Sequence, residues 1–198
     1  MLVNDDDDIP EVMERYMPSP LHNTCIPKRK LSTDDIQHAN NNILHRMCRV
    51  LGDVATISCF VGKSSVVRGD VAKVTLGQGV FIEDSVIIKP PLRVTDKLAA
   101  EGIAVMVGNY VFFGIRTICE AMSVGNFVII EADCTIGERC TLGHGCWLRA
   151  GTVVPSGQSL IPFGVYQGNP AVLVGRTQED THPTLARELI SQHFQSLF

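Results

Sequence analysis

The sequence predicts an all-β fold in which short strands coil into a parallel β-helix, followed by one C-terminal α-helix. The main observation is a six-residue repeat of apolar residues. From residue 124 onward every sixth residue is aliphatic or aromatic: Val124, Ile130, Ile136, Leu142, Leu148, Val154, Leu160 and Tyr166. An α-helix repeats apolar residues every three to four positions and a half-buried strand every two, so neither element alone explains this period.

Two further positions of each hexad support this prediction. If the apolar residue is position i, the next residue is glycine at 125, 137 and 143. We expect this glycine to supply the backbone angles of a sharp corner. Position i+4 is small, which suits a place where two walls of the coil converge. The i+4 residues are Val128, Cys134, Cys140, Cys146 and Thr152.

The repeat begins upstream at Val61 and resumes at Val107 after an interruption. It resembles the hexapeptide repeat of the left-handed parallel β-helix, a triangular prism with three hexads per coil, and this resemblance implies the handedness. Residues 18 apart should then stack, as in the column Val124, Leu142 and Leu160, with roughly 4.8 Å between coils. The hexads predict roughly four to five coils. A β-sandwich is the alternative, but it gives no reason for an unbroken six-residue register.

The chain divides into three predicted regions. Residues 1–50 contain "DDDD", "PSP" and "NNN", and we expect an irregular or partly disordered extension. Residues 51–176 should form the β-helix, with a corner loop at 89–106 that Pro90 and Pro91 introduce. Residues 177–198 should form a linker and an amphipathic helix, because apolar residues from Leu185 to Leu197 have helical spacing. We expect the helix to pack on its own prism, and a partner-binding helix is the alternative.

Composition excludes several classes of function. The 17 basic and 21 acidic residues give a net charge of -4, which argues against binding nucleic acid through phosphate contacts. No apolar stretch is long enough to predict membrane insertion. The first residues lack a secretory signal, so we expect a cytoplasmic location. Seven cysteines, an odd number, favour free thiols over a disulfide framework.

The stretch "TIGERCTLGHGCW" (135–147) places Cys140, His144 and Cys146 within seven residues, as a metal site would. The register favours another interpretation. Cys140 and Cys146 both occupy position i+4, so we predict that they fill the interior. His144 occupies position i+2, so it should face solvent, stacked over Asn126 of the coil before. We predict an ordinary surface histidine, with a general base as the alternative.

The segment "VVRGDVAKVTLG" (66–77) resembles the γ-class carbonic anhydrases, including their Arg and Asp at Arg68 and Asp70. For these two residues we favour an ion pair that stabilises a corner over a role in joining subunits. In this alignment, the three zinc-binding histidines of that family and a glutamine near the bound water fall on other residues. Those positions are Lys89, Ile115 and Glu120 for the histidines and Glu83 for the glutamine.

A lysine and an isoleucine cannot supply two of three zinc donors. We therefore predict no metal site, no cofactor and no catalytic residue.

Four segments resemble the prism-shaped subunits at the pointed end of dynactin, subunit 5 more than subunit 6. They are "VVRGDVAKVTLGQGVFIEDSVIIKPP", "VGNYVFFG" after the loop, "CTIGERCTL" and "VVPSGQSLIPFGVYQGNP", and "IIKPP" followed by an insertion is the most discriminating piece. The resemblance implies a non-catalytic structural adaptor that supports dynein–cargo attachment in the cytoplasm, associated with the cytoskeleton. The implied partners are dynactin subunit 6, an actin-related protein, the zinc-bearing subunit and the dynein–cargo machinery. The alternative is a γ-carbonic-anhydrase-like or hexapeptide acyltransferase enzyme with a non-standard site.

Overall fold

The computed structural model describes residues 36–39, 41–94 and 100–197, which form a three-walled prism and one helix. Wall A is a nine-stranded sheet. In spatial order its strands are β1 (Ile36–Ala39), β2 (Asn42–His45), β4 (Phe60–Val61), β6 (Phe81–Ile82), β11 (Phe112–Phe113), β14 (Ile129–Ile130), β17 (Trp147–Leu148), β20 (Gly164–Gln167) and β21 (Val172–Arg176). The seven strands from β2 to β20 run parallel, and β1 and β21 pair antiparallel at the two ends.

The other two walls share one long strand, β5 (Val66–Gln78), which passes around the corner between them. Wall B continues from Val66 and Val67 through β7 (Ile87–Ile88), β12 (Ile118–Cys119), β15 (Thr135–Ile136) and β18 (Val153–Val154). Wall C continues from the second half of β5 through β10 (Val105–Val107), β13 (Ser123–Val124), β16 (Thr141–Leu142) and β19 (Ser159–Leu160). The strand β3 (Arg49–Ile57) pairs along β5 on both walls.

This architecture confirms the predicted fold class, a left-handed parallel β-helix of hexapeptide repeats with a C-terminal α-helix. The predicted columns form as expected, since Leu142 pairs with both Val124 and Leu160 in register. All five i+4 residues are fully buried.

The coil count differs from the prediction. The seven parallel strands of wall A enclose about six coils rather than four to five, because β2 and β3 add a first coil that lacks the hexad pattern. Because of β2 and β3, the solenoid also begins before residue 51, the start that the hexads predict. Of the predicted irregular extension, residues 1–35 lie outside the described residues, whereas 36–39 and 42–45 are strands.

The role that we predicted for the corner glycines is wrong. Gly125, Gly137 and Gly143 do not have positive φ angles. The left-handed conformation occurs two residues later, at position i+3, where side chains of several types adopt φ of 54–60°. These i+3 residues include Tyr110, Arg116, Phe127, Asp133, Arg139 and Phe163. Glycine is needed at i+1 for space, because a Cβ there would lie 2.6–2.7 Å from a backbone nitrogen of the next coil.

The predicted corner loop leaves wall B after β7. It contains two antiparallel strands, β8 (Leu92–Val94) and β9 (Ala100–Gly102), and residues 95–99 lie outside the described part. The chain rejoins wall C at β10, where Val105 pairs with Val74. Gly102 lies against Ala72, so the hairpin folds back onto the corner that β5 makes.

The C-terminal helix α1 (His182–Leu197) packs on the outer face of wall A. Its buried residues are His182, Ala186, Leu189 and His193, a spacing of three to four residues that forms one stripe. The structure therefore confirms that the helix packs on its own prism. No helix in the described part of the chain is long and apolar enough to span a membrane.

Candidate functional site

The corner after wall B holds two of the three residues that align with zinc-binding histidines. Lys89 follows β7 and Glu120 follows β12, on neighbouring coils. Because parallel pairing stacks these coils in register, the Lys89 Nζ lies 2.8 Å from the Glu120 Oε1. At the corner where the resemblance to the carbonic anhydrases puts two zinc ligands, the structure thus has a salt bridge between an ammonium group and a carboxylate.

The remaining two aligned residues meet at a different corner, the one after wall A. Glu83 follows β6, and its Oε2 accepts a hydrogen bond from the backbone N–H of Ile115 at 2.9 Å. Only the backbone of Ile115 takes part, because its side chain is a hydrocarbon. Among the described residues no three His, Cys, Asp or Glu side chains come together as metal ligands.

His144 lies on the surface of wall C's corner, in a ladder of side chains that accept backbone hydrogen bonds from the preceding coil. Its Nδ1 accepts from the Asn126 N–H at 2.9 Å, the Asn126 Oδ1 accepts from the Asn109 N–H, and the Asn109 Oδ1 accepts from the Gln78 N–H. Since the donor is a backbone amide, Nδ1 has no proton, and in the neutral ring Nε2 must carry it. No lone pair is then left for a general base, so the ladder argues against catalysis by His144.

The cysteines of the central coils fill the interior. Cys134, Cys140 and Cys146 are fully buried, and each sulfur lies 3.0–3.2 Å from a backbone carbonyl oxygen of the next coil. Burial raises the pKa of Cys134 and Cys146 to about 12 and also raises the pKa of Cys140. A thiol of such high pKa is neither nucleophile nor ready metal ligand.

The ion pair of Arg68 and Asp70 lies at the surface of the β5 corner. The guanidinium donates to both carboxylate oxygens, at 3.0 and 2.8 Å. This hydrogen bonding lowers the pKa of Asp70. Both side chains are about two-fifths exposed, so the pair fits a small contribution to the stability of the corner.

The apolar outer face of wall A was not predicted from the sequence. On this face the residue before each i position is apolar. We call this column the aromatic strip: Phe60, Phe81, Phe112, Ile129, Trp147 and Val165. Phe60 and Phe81 stack with ring centroids 4.6 Å apart, and Phe81 and Phe112 at 5.8 Å. Helix α1 covers the strip. The signal was available, because these residues immediately precede i positions on every third hexad.

One buried acid faces a buried histidine under α1. The Glu83 Oε1 lies 3.7 Å from the His193 Nε2, and their side chains are 11% and 4% exposed. Burial raises the pKa of Glu83 to about 7, with the nearby Asp84 charge adding to the rise and the Ile115 hydrogen bond opposing it. This pair could not be predicted from the sequence, because Glu83 and His193 are 110 positions apart and meet only where α1 packs on wall A.

The two ends of the prism differ. At the carboxyl end, Tyr166 and Ala171 are buried and the antiparallel strand β21 closes wall A. At the amino end, β3 pairs on one side with β5, and no strand in the described residues pairs with its other edge. Val50 is paired in register with the buried Val67, yet it is 39% exposed. Within the described residues, the interior of the first coil is therefore open at this end.

Apolar residues also point outward from the open edge. Leu51 and Ile57 of β3 are 41% and 61% exposed. A strand of nine residues with a free edge and exposed apolar side chains is a surface that other proteins pair with, unless it is covered. The amino-terminal edge is thus a described surface that is suited to contact a partner.

Comparisons with solved structures support the fold of this chain, and a separate comparison with protein families identifies its family. Among solved structures, a hexapeptide transferase family protein from Anaplasma phagocytophilum is similar over 79% of this chain and 93% of its own, with a TM-score of 0.61 and 20% identity. AntD, an N-acyltransferase from Bacillus cereus, is similar over 77% and 88%, with a TM-score of 0.52 and 14% identity. At these identities the similarity extends to the fold alone. No curated protein matches the chain.

A family match covers most of the sequence. The family described as dynactin subunit 5 matches residues 31–197, which include the whole prism, the corner loop and all of α1. The matched region has the hexapeptide-repeat fold described above. The chain belongs to the dynactin subunit 5 family.

Proposed function

We propose that this chain is a non-catalytic structural subunit of the dynactin pointed-end complex, which supports attachment of dynein to cargo in the cytoplasm, in association with the cytoskeleton. The family match over residues 31–197 carries the proposal. The proposed partners are dynactin subunit 6, an actin-related protein and the zinc-bearing subunit of that complex.

Two features of the prism support a structural role. The Lys89–Glu120 salt bridge satisfies the charges of the corner that is catalytic in metal-bearing relatives. The ladder through Asn126 occupies the lone pair that His144 would need as a base. These features count against the alternative, a carbonic-anhydrase-like or acyltransferase enzyme.

The open amino-terminal edge is the surface through which we propose that the chain joins its partners. Along its outer edge, strand β3 has backbone N–H and C=O groups that no other described strand pairs with. Partner backbone could pair with these groups while partner side chains cover Leu51 and Ile57.

Affinity purification of the tagged full-length chain from cells tests the proposed function. We expect the purified material to contain an actin-related filament and other dynactin subunits. Failure to recover any of them would overturn the proposal. Stoichiometric zinc in the purified chain, lost in His144→Ala, would instead favour the enzyme.

A charge on the open edge tests the proposed surface. We expect Ile57→Lys to reduce recovery of the other dynactin subunits roughly tenfold or more, because a buried lysine at an interface is unpaired. Val172→Lys is the matched control, since Val172 is 58% exposed on β21 at the opposite end of the prism. Equal recovery with both variants would show that β3 is not the contact, even if the chain remains a dynactin subunit.

A further inference from the structure

The pair formed by Glu83 and His193 has a geometry that requires a proton. The His193 Nδ1 lies 2.8 Å from the backbone oxygen of Leu189, one helical turn earlier. A carbonyl oxygen can only accept, so Nδ1 carries a hydrogen, and in the neutral ring Nε2 presents its lone pair. That lone pair faces the Glu83 Oε1 at 3.7 Å.

No other hydrogen-bond donor of the described residues reaches this oxygen. Its Oε2 is satisfied by the Ile115 N–H, and no lysine or arginine of the described residues forms a salt bridge with Glu83. Without a proton between Oε1 and Nε2, two buried acceptors face each other and one of them is charged, which is unfavourable. With a proton they attract, and rotation about the soft terminal torsion of the glutamate can shorten the contact to a hydrogen bond.

Glu131, at the equivalent position, shows how a glutamate at this corner is paired when a cation is present. It follows β14 as Glu83 follows β6. Its Oε1 accepts from the Trp147 Nε1 at 2.8 Å and from the Arg149 Nη1 at 3.0 Å, while its Oε2 accepts from the Ala150 N–H. A cation and an indole therefore balance Glu131, whereas the corresponding oxygen of Glu83 has only a neutral imidazole.

Among the described residues, His193 forms no salt bridge with a charged group other than Glu83. Its ring lies 4.7 Å from the Phe112 ring and 5.9 Å from the Phe81 ring, centroid to centroid. Besides Glu83, the charged group that acts on this corner is Asp84, whose carboxylate also disfavours ionisation of Glu83. The pair thus lies between the first aromatic residues of the strip and the last turns of α1.

We propose that Glu83 and His193 are a pH-sensitive latch, which holds the C-terminal half of α1 over the aromatic strip while they share one proton and releases it when that proton is lost. Release uncovers the Phe60, Phe81 and Phe112 end of the strip. The N-terminal half of α1 remains anchored, because the His182 Nε2 donates to the Phe127 backbone oxygen at 2.8 Å and does not depend on Glu83.

The raised pKa of Glu83 sets the direction of the pH dependence. The pKa of Glu83 is about 7 in the folded chain and 4.5 when exposed. A folded-state pKa above the unfolded value means that the protonated carboxyl stabilises the docked helix fully below pH 4.5 and that this stabilisation is lost as the pH rises through about 7. Burial lowers the pKa of His193, so the shared proton resides mainly on Glu83.

Hydrogen exchange of α1 tests the latch in the full-length chain. We expect protection of the amides of residues 190–197, corrected for intrinsic exchange, to fall roughly tenfold between pH 6 and 8.5. A change of this size corresponds to the loss of about one hydrogen bond. The fluorescence of Trp147, the single tryptophan, reports the N-terminal half and should not change. Protection that is independent of pH would overturn the proposal.

Two substitutions identify the group responsible. In Glu83→Gln the amide can donate to the His193 Nε2 and accept from the Ile115 N–H at any pH, so protection should stay high to pH 8.5. Glu131→Gln, at the equivalent corner, should retain the wild-type midpoint. The assignment of the pH dependence to Glu83 would be overturned if the pH midpoint of protection persisted in Glu83→Gln. It would also be overturned if that midpoint disappeared in Glu131→Gln.

A measurement on the wild-type chain avoids any folding defect of the variants. The ¹⁵N chemical shifts of the His193 ring should show Nδ1 protonated throughout, with a change at Nε2 at the same pH midpoint as the exchange. A constant Nε2 shift would contradict the shared proton.

Discussion

Trp147→Ala is expected to lower the free energy of unfolding by about 3–5 kcal/mol, the usual cost of removing a buried tryptophan. Trp147 is 2% exposed in the aromatic strip, between Ile129 and Val165 of the neighbouring coils. Its loss leaves a cavity under α1, and it also removes the Nε1–H donor from Glu131. Chemical denaturation followed by circular dichroism measures the change.

Trp147→Phe separates packing from hydrogen bonding. Phenylalanine keeps most of the apolar contact but cannot donate to Glu131, so we expect a loss of about 1–2 kcal/mol. If Trp147→Ala costs less than 1 kcal/mol, the helix does not cover this residue as described.

Gly125→Ala is expected to lower the free energy of unfolding by about 3 kcal/mol, at the upper end of overpacking effects. The new Cβ would lie 2.6 Å from the backbone nitrogen of His144. That neighbour is main chain of the next coil, held by parallel pairing on both sides, so it cannot move aside as a flexible side chain could. Thermal or chemical denaturation of the purified variant measures the effect.

Gly151→Ala is the matched control for this change. Gly151 has nothing within 4 Å of an added Cβ, but its φ of +73° is in the left-handed region. We expect a loss of about 1 kcal/mol, the conformational cost alone. Equal losses in the two variants would mean that conformation, rather than the spacing of the coils, explains the corner glycines.

Much of the prism could be predicted from local sequence, because a coil of fixed shape imposes the same requirement every six residues. Leu142 and Leu148 face inward for that reason, and Cys140 and Cys146 share one interior position. The first coil could not be predicted, since Val50 and Val54 of β3 follow β5 through a register shift and show no hexad. Pairing with the neighbouring strand, a contact between distant residues, decides where that coil lies.

The sequence predicted which residues occupy the expected metal-ligand positions, but it did not predict which of these residues contact each other. Alignment by hexads placed Lys89 and Glu120 where relatives have histidines, and the structure brings these two together in a salt bridge. The same alignment placed Glu83 and Ile115 near one metal, whereas they meet each other at a separate corner. Spacing along the chain specifies a residue's position in its hexad, and only the stacking of coils specifies its neighbours.

The sequence alone determined the repeat, the direction in which each side chain points and the presence of a C-terminal helix, because these depend on a local period and on which residues are small or apolar. Only the tertiary structure decided which wall the helix covers, which end of the prism is open and how Glu83 meets His193. These features depend on contacts between residues far apart in the chain, and no local pattern encodes such contacts.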